Sequence, residues 1–140
     1  MLRLPRTCLL FVSLFSVATS AHAFEFKEGQ WELVVKQSLK GMPTGMPVTR
    51  WRECLHQSDP IPKAFLQARS CEVVDQHTVY RTLKYKLSCY GDNGTFVTEG
   101  KIRFGDFKLT GKARSDLGEV GGRSMVTRYK FEGRRIGDCQ

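Results

Sequence analysis

The chain has 140 residues, 22 Lys and Arg against 14 Asp and Glu for a formal charge of +8, with 41% hydrophobic and 26% charged residues. A chain of this length holds one core, and nine Phe beside a charged fraction near one quarter exclude a disordered tail, a coiled coil and a multi-span membrane protein. The five Cys take their meaning from the compartment.

Residues 1–23 read as a cleaved signal peptide. Arg3 and Arg6 give a positive start, Leu9 to Val17 is apolar apart from Ser13 and Ser16, and Ala21-His22-Ala23 is the small-x-small pattern of a cleavage site. The apolar run is shorter than the roughly 20 residues that cross a bilayer, so the protein is expected to be exported to the periplasm and not to span a membrane. Cys8 precedes the apolar stretch and is not placed to accept a lipid anchor. Cleavage after Ala23 removes Arg3, Arg6 and Cys8, leaving a single domain over residues 24–140 with four Cys and a formal charge of 20 − 14 = +6. In an oxidising compartment four Cys read as two disulfides, and Cys54, Cys71, Cys89 and Cys139 allow three pairings. Their gaps of 17, 18 and 50 residues lack the close knuckles of a thiolate zinc site.

Along the mature chain the dominant period is two. Trp31, Leu33, Val35 and Leu39 alternate with Glu32, Lys36 and Ser38, predicting a strand from Gln30 to Leu39, and Val48 to Leu55 predicts a second. Between them Gly41 to Pro47 contains two Pro, which lack amide donors, and is a loop. Ser58-Asp59-Pro60 supplies an N-cap and an early Pro for one short helix over Ile61 to Gln67. Cys71 to Asp75 begins the next strand. From Thr78, Val79, Arg81, Leu83, Tyr85, Leu87 and Cys89 share one face, with Lys84 and Lys86 on the other. Gly91-Asp92-Asn93-Gly94 is a hairpin turn, its Asn-Gly supplying positive φ. Phe96, Thr98, Gly100, Ile102 and Phe104 then oppose Lys101 and Arg103; Phe107, Leu109, Gly111 and Ala113 oppose Lys108, Lys112 and Arg114. After a Gly-rich turn over Gly118 to Gly122, Met125, Thr127, Tyr129 and Phe131 oppose Arg128 and Lys130. The fold class is mainly β: an antiparallel meander of about seven strands, curled into a barrel-like or half-barrel sheet because no helix is long enough to cover it.

Gly29-Gln30-Trp31-Glu32, the Gly41-Met42-Pro43 and Gly45-Met46-Pro47 repeat, Cys54, Cys71-Glu72-Val73, Ser88-Cys89 and Gly133-Arg134-Arg135-Ile136-Gly137-Asp138-Cys139 closely resemble the bacterial domain-of-unknown-function family 3617 over nearly the whole mature chain. The resemblance implies a small exported protein of Gram-negative bacteria with four matched cysteines and no established activity. Thr78-Val79-Tyr80-Arg81 stands where that family's turn is usually rich in Ser, Gly and Asn. With the hairpin of the resemblance turning near Tyr80, Cys71 and Cys89 lie nine residues to either side and pair, leaving Cys54 with Cys139.

No constellation supports catalysis, and no cofactor or metal is expected. The mature chain has only His56 and His77, and no nucleophile elbow, zincin helix or phosphate-binding loop. His56 reads as a surface turn. Met42 and Met46 could offer thioethers to Cu(I), with His56 as a third ligand, but read better as loop residues. The strongest feature is a set of cations on the polar parity of successive strands: Lys84, Lys86, Lys101, Arg103, Lys108, Lys112, Arg114, Arg128 and Lys130. Tyr85, Phe96, Phe104, Phe107 and Phe131 fall on the other parity and read as core, so aromatics do not interleave with the charge as nucleic-acid binding requires. The expected function is a monomeric, non-catalytic module binding an anionic lipid, lipopolysaccharide or an envelope protein. The alternative is a carrier holding a small apolar ligand where Gly100, Gly111 and Ala113 leave space.

Overall fold

The computed structural model describes residues 25–41, 48–67 and 70–140. The expected signal peptide over residues 1–23 lies outside the described residues, as do Met42 and Met46. The elements are β1 (Gly29–Leu39), β2 (Thr49–Leu55), α1 (Lys63–Gln67), β3 (Cys71–Val79), β4 (Thr82–Gly91), β5 (Gly94–Phe104), β6 (Lys108–Val120) and β7 (Arg123–Gly137). They form one seven-stranded antiparallel sheet in the order β2-β1-β7-β6-β5-β4-β3. The strands from β3 to β7 make the meander, and β1 then pairs with β7. Among the described residues β2 and β3 do not pair, so the sheet is open.

The helix shows how strongly the sheet curls. Six strand spacings of about 4.8 Å would hold β2 and β3 roughly 29 Å apart in a flat sheet. A five-residue helix is only about 7.5 Å long. Yet α1 packs on β3 at one edge, while its Phe65 meets Trp51 of β2 at the other edge and Phe131 of β7 in between, at ring-centroid distances of 5.6 and 4.9 Å. Both edges must therefore bend toward α1, which sits in the hollow.

That hollow is the core. Trp31, Leu33 and Val35 of β1, Leu83, Tyr85 and Leu87 of β4, Ile102 and Phe104 of β5, Leu109 of β6 and Phe131 of β7 are buried on it, with Leu55, Ile61 and Phe26 over them. Phe26 stacks on Phe104 at 4.3 Å. Complete burial of one such side chain stabilises by about 1.5–3 kcal/mol. Two bridges hold the edges: Cys71–Cys89 joins directly opposed residues of β3 and β4, and Cys54–Cys139 ties β2 to the chain beyond β7, closing a loop of 85 residues. Links of this kind contribute about 2–4 kcal/mol each.

Three local expectations change. The alternation read as one strand from Thr78 is split, because Tyr80 adopts a left-handed φ of 54° and reverses the chain between Val79 and Thr82. In the next hairpin Gly91 pairs with Gly94, so the loop is Asp92-Asn93 and only Gly94 carries positive φ. Phe107 is 58% exposed and not core. It belongs to the β5–β6 turn, closed by a hydrogen bond from the Gly105 amide to the Lys108 carbonyl, and the Lys27 ammonium lies over its ring.

Candidate functional site

Strand parity places a side chain on a face; register decides its neighbours. On the face away from the core, Lys84 of β4 is opposite Lys101 of β5, Lys101 opposite Lys112 of β6, Lys112 opposite Lys130 of β7, and Lys130 opposite Lys36 of β1. Five exposed lysines thus stand in one row across five strands, and His77 of β3 extends it beyond Lys84. None of the five lysines has an ion pair among the described residues. Like charges directly opposite one another destabilise a sheet, and this row contains four such pairs.

Two residues along each strand a second row runs parallel: Asp75, Lys86, Glu99, Arg114 and Arg128. Here charge is partly compensated, by Lys86 with Glu99 at 3.2 Å and Arg114 with Asp116 at 3.7 Å. The two rows wall a groove of about 730 Å³, with the residues between them, Tyr85, Gly100, Ala113 and Tyr129, also on its lining. Seven Lys and Arg line it against two carboxylates, Asp75 and Glu99. Further along the same face the pattern differs: Glu32 lies between Arg134 at 2.8 Å and Arg52 at 3.5 Å. The Arg134 hydrogen bond and charge, then Arg52, hold the Glu32 carboxyl below its usual range.

All nine sequence-derived cations are exposed. The groove gathers Lys84, Lys86, Lys101, Lys112, Arg114, Arg128 and Lys130. Arg103 and Lys108 lie outside it, Arg103 between Thr82 and Thr110, and Lys108 opposite Arg134. Sequence reading missed His77, Asp75 and Glu99, which line the groove, and Lys36, which continues the lysine row beyond that lining. Lys36 carried the same parity signal, but its place beside Lys130 depends on the β1–β7 pairing.

The inner face holds a second cavity, about 390 Å³ among the described residues, between Trp51, Phe65, Leu87, Tyr129 and Phe131. Its polar lining is Gln37, Thr49 and a pair of buried hydroxyls, Thr98 and Ser115, 2.6 Å apart. Gly100 and Gly111 do not supply its space: a Cβ at Gly100 would overlap the Tyr85 ring, and one at Gly111 the Phe131 ring. These rings lie over their glycines, a recurrent way of filling a strand glycine. Ala113 does line the cavity.

The four cysteines pair as the resemblance implies. His56 sits in a tight turn closed by the Asp59 amide on its carbonyl, with its Nε2 3.2 Å from Cys54 Sγ. Cys54, His56 and Cys139 bring potential ligand atoms within 4.8 Å of one another, but the disulfide uses both sulfurs. No described helix is long and apolar enough to cross a membrane.

No curated protein and no solved structure matches the chain. The model of the protein family of unknown function DUF3617 matches residues 26–139, so the chain belongs to that family.

Proposed function

We propose that the mature domain is an exported, periplasmic, non-catalytic module that binds an anionic component of the cell envelope, anionic lipid or lipopolysaccharide, in the groove between the two charged rows. The observation carrying this reading is the row Lys84, Lys101, Lys112, Lys130 and Lys36, opposed strand by strand and without counter-ions among the described residues. A sheet selected for stability alone would alternate these charges, as it does around Glu32. A cleft lined by one sign of charge focuses the field and raises the local concentration of anions. Export is supported by the charged, apolar and small-residue sections of residues 1–23.

Residues 24–140 are expected to co-sediment with lipopolysaccharide or with phosphatidylglycerol vesicles at low ionic strength, and not with phosphatidylcholine vesicles. Binding should weaken steeply above about 0.15 M salt, where the screening length is about 8 Å. No association with either anionic material at low salt would refute the reading.

The inner cavity favours a second reading, a carrier of a small amphiphile whose apolar body contacts Trp51, Phe65 and Phe131 and whose polar end meets Thr98 and Ser115. Its volume is within the range of small-molecule sites. Native mass spectrometry of protein taken from the periplasm should then show a bound species released on denaturation, and a bare mass would count against it.

A further inference from the structure

We infer that the ligand of the groove is an extended anionic glycan, one charge per sugar, lying across the strands and not along them; this rests on the binding function proposed above. The direction follows from register. Lys84, Lys101, Lys112, Lys130 and Lys36 succeed one another from strand to strand, so the row crosses the sheet at a repeat of about 4.8 Å and covers about 19 Å. The opposite wall, with Asp75, Lys86, Glu99, Arg114 and Arg128, is less strongly charged and is offset by two residues, about 7 Å along the strands. A chain of single sugars is of the size to enter such a channel. A bilayer surface meets only the outward ends of these exposed cations, whereas a single chain also contacts the groove between the two rows.

The side chains discriminate further among polyanions. Single-stranded nucleic acid binds by stacking bases on aromatic rings. The aromatic residues of the lining, Tyr85 and Tyr129, stand on the core parity of β4 and β7, with Tyr85 only 4% exposed. A condensed phosphate chain carries its charges closer together than the strand spacing. Lysine presents a point charge on a flexible stem with three donors, while arginine grips a carboxylate or a phosphate through a planar fork. The strand-to-strand repeat of the lysines therefore suits single anionic groups spaced about one sugar apart, with Arg114 and Arg128 on the other wall able to grip them bidentately.

The test is a length series of oligogalacturonates, from dimer to octamer, titrated calorimetrically into residues 24–140 at low salt. Affinity should rise by roughly 1.5- to 5-fold for each added charge and level off near the pentamer, where the lysine row ends. Lys36→Glu should remove the gain of the last step, and Lys84→Glu, at the other end of the row, should do the same. Equal affinity for dimer and octamer overturns the inference. So does tighter binding of polyphosphate or single-stranded DNA of equal charge. Glycan-free phosphatidylglycerol vesicles that compete as well as the octamer overturn the glycan while leaving anionic envelope binding standing. Absence of binding to any anion at low salt removes both.

Discussion

Lys112→Glu is expected to weaken binding of an anionic ligand by roughly 2- to 25-fold, two charge steps, while raising the melting temperature by a few degrees. The two effects have one cause. Lys112 is the centre of the row, opposite both Lys101 and Lys130. Reversing its charge turns two like-charge pairs into two attractive ones, and cross-strand opposite charges contribute roughly 0.2–1 kcal/mol each. These side chains are exposed, so the lower part of that range applies. The same change places a carboxylate in the middle of the anion's path, removing one favourable contact and adding a repulsive one. Arg103→Glu is the control, because Arg103 shares the outward parity and exposure of the site residues but lies outside the groove between two threonines. It should alter binding less than about twofold. Thermal melts and the same titration measure both quantities. Loss of binding with equal loss of stability would show that Lys112 supports the fold and not the ligand.

The contrast between Lys112 and Arg103 also shows what a sequence can disclose. Parity is local: successive strand side chains alternate faces, so the polar positions of β4 to β7 could be read directly and all nine cations are exposed. Which cations meet is a matter of register between segments far apart in the chain. Lys36 is 94 positions from Lys130, and no local pattern joins them. The split between β3 and β4, at the turn near Tyr80 that the family resemblance implies, was hidden from the alternation for a different reason. Tyr80 takes a left-handed backbone that Gly or Asn usually provides, and its neighbours Val79 and Arg81 continue the alternation across the turn. Phe107 misled because hydrophobicity was read through the Gly105–Asp106 turn as though the ladder had already begun. The cysteine pairing came from the family resemblance, since the count of four leaves three possibilities open. The groove itself belongs to the curved sheet and has no sequence signal beyond the charges that line it.

Gly111→Ala is expected to destabilise the domain by about 1–3 kcal/mol, the usual range for an overpacked core. At about 4 °C per kcal/mol, the melting temperature falls by about 4–12 °C. The sign is informative, since glycine inside a strand ordinarily costs roughly 0.5–1 kcal/mol relative to alanine and the substitution would then stabilise. At Gly111 the Phe131 ring occupies the space a Cβ needs, and Phe131 is 2% exposed beneath α1, opposite Gly111 in register. The ring can move only by disturbing Phe65 and the strands beside it. Gly137→Ala is the comparison: nothing lies within 4 Å of an added Cβ there, so stability should hold or rise slightly. Pairing Gly111→Ala with Phe131→Leu should cost less than the sum of the two single changes, because the smaller side chain vacates the contested volume. The outcome bears on the carrier reading as well. If Gly111 were small in order to leave room for a ligand, alanine would fill an empty space, stabilise the unliganded protein and displace whatever is bound. A ring seated over the glycine predicts the opposite stability change, and it confines any ligand to the cavity bounded by Trp51, Phe65 and the Thr98–Ser115 pair.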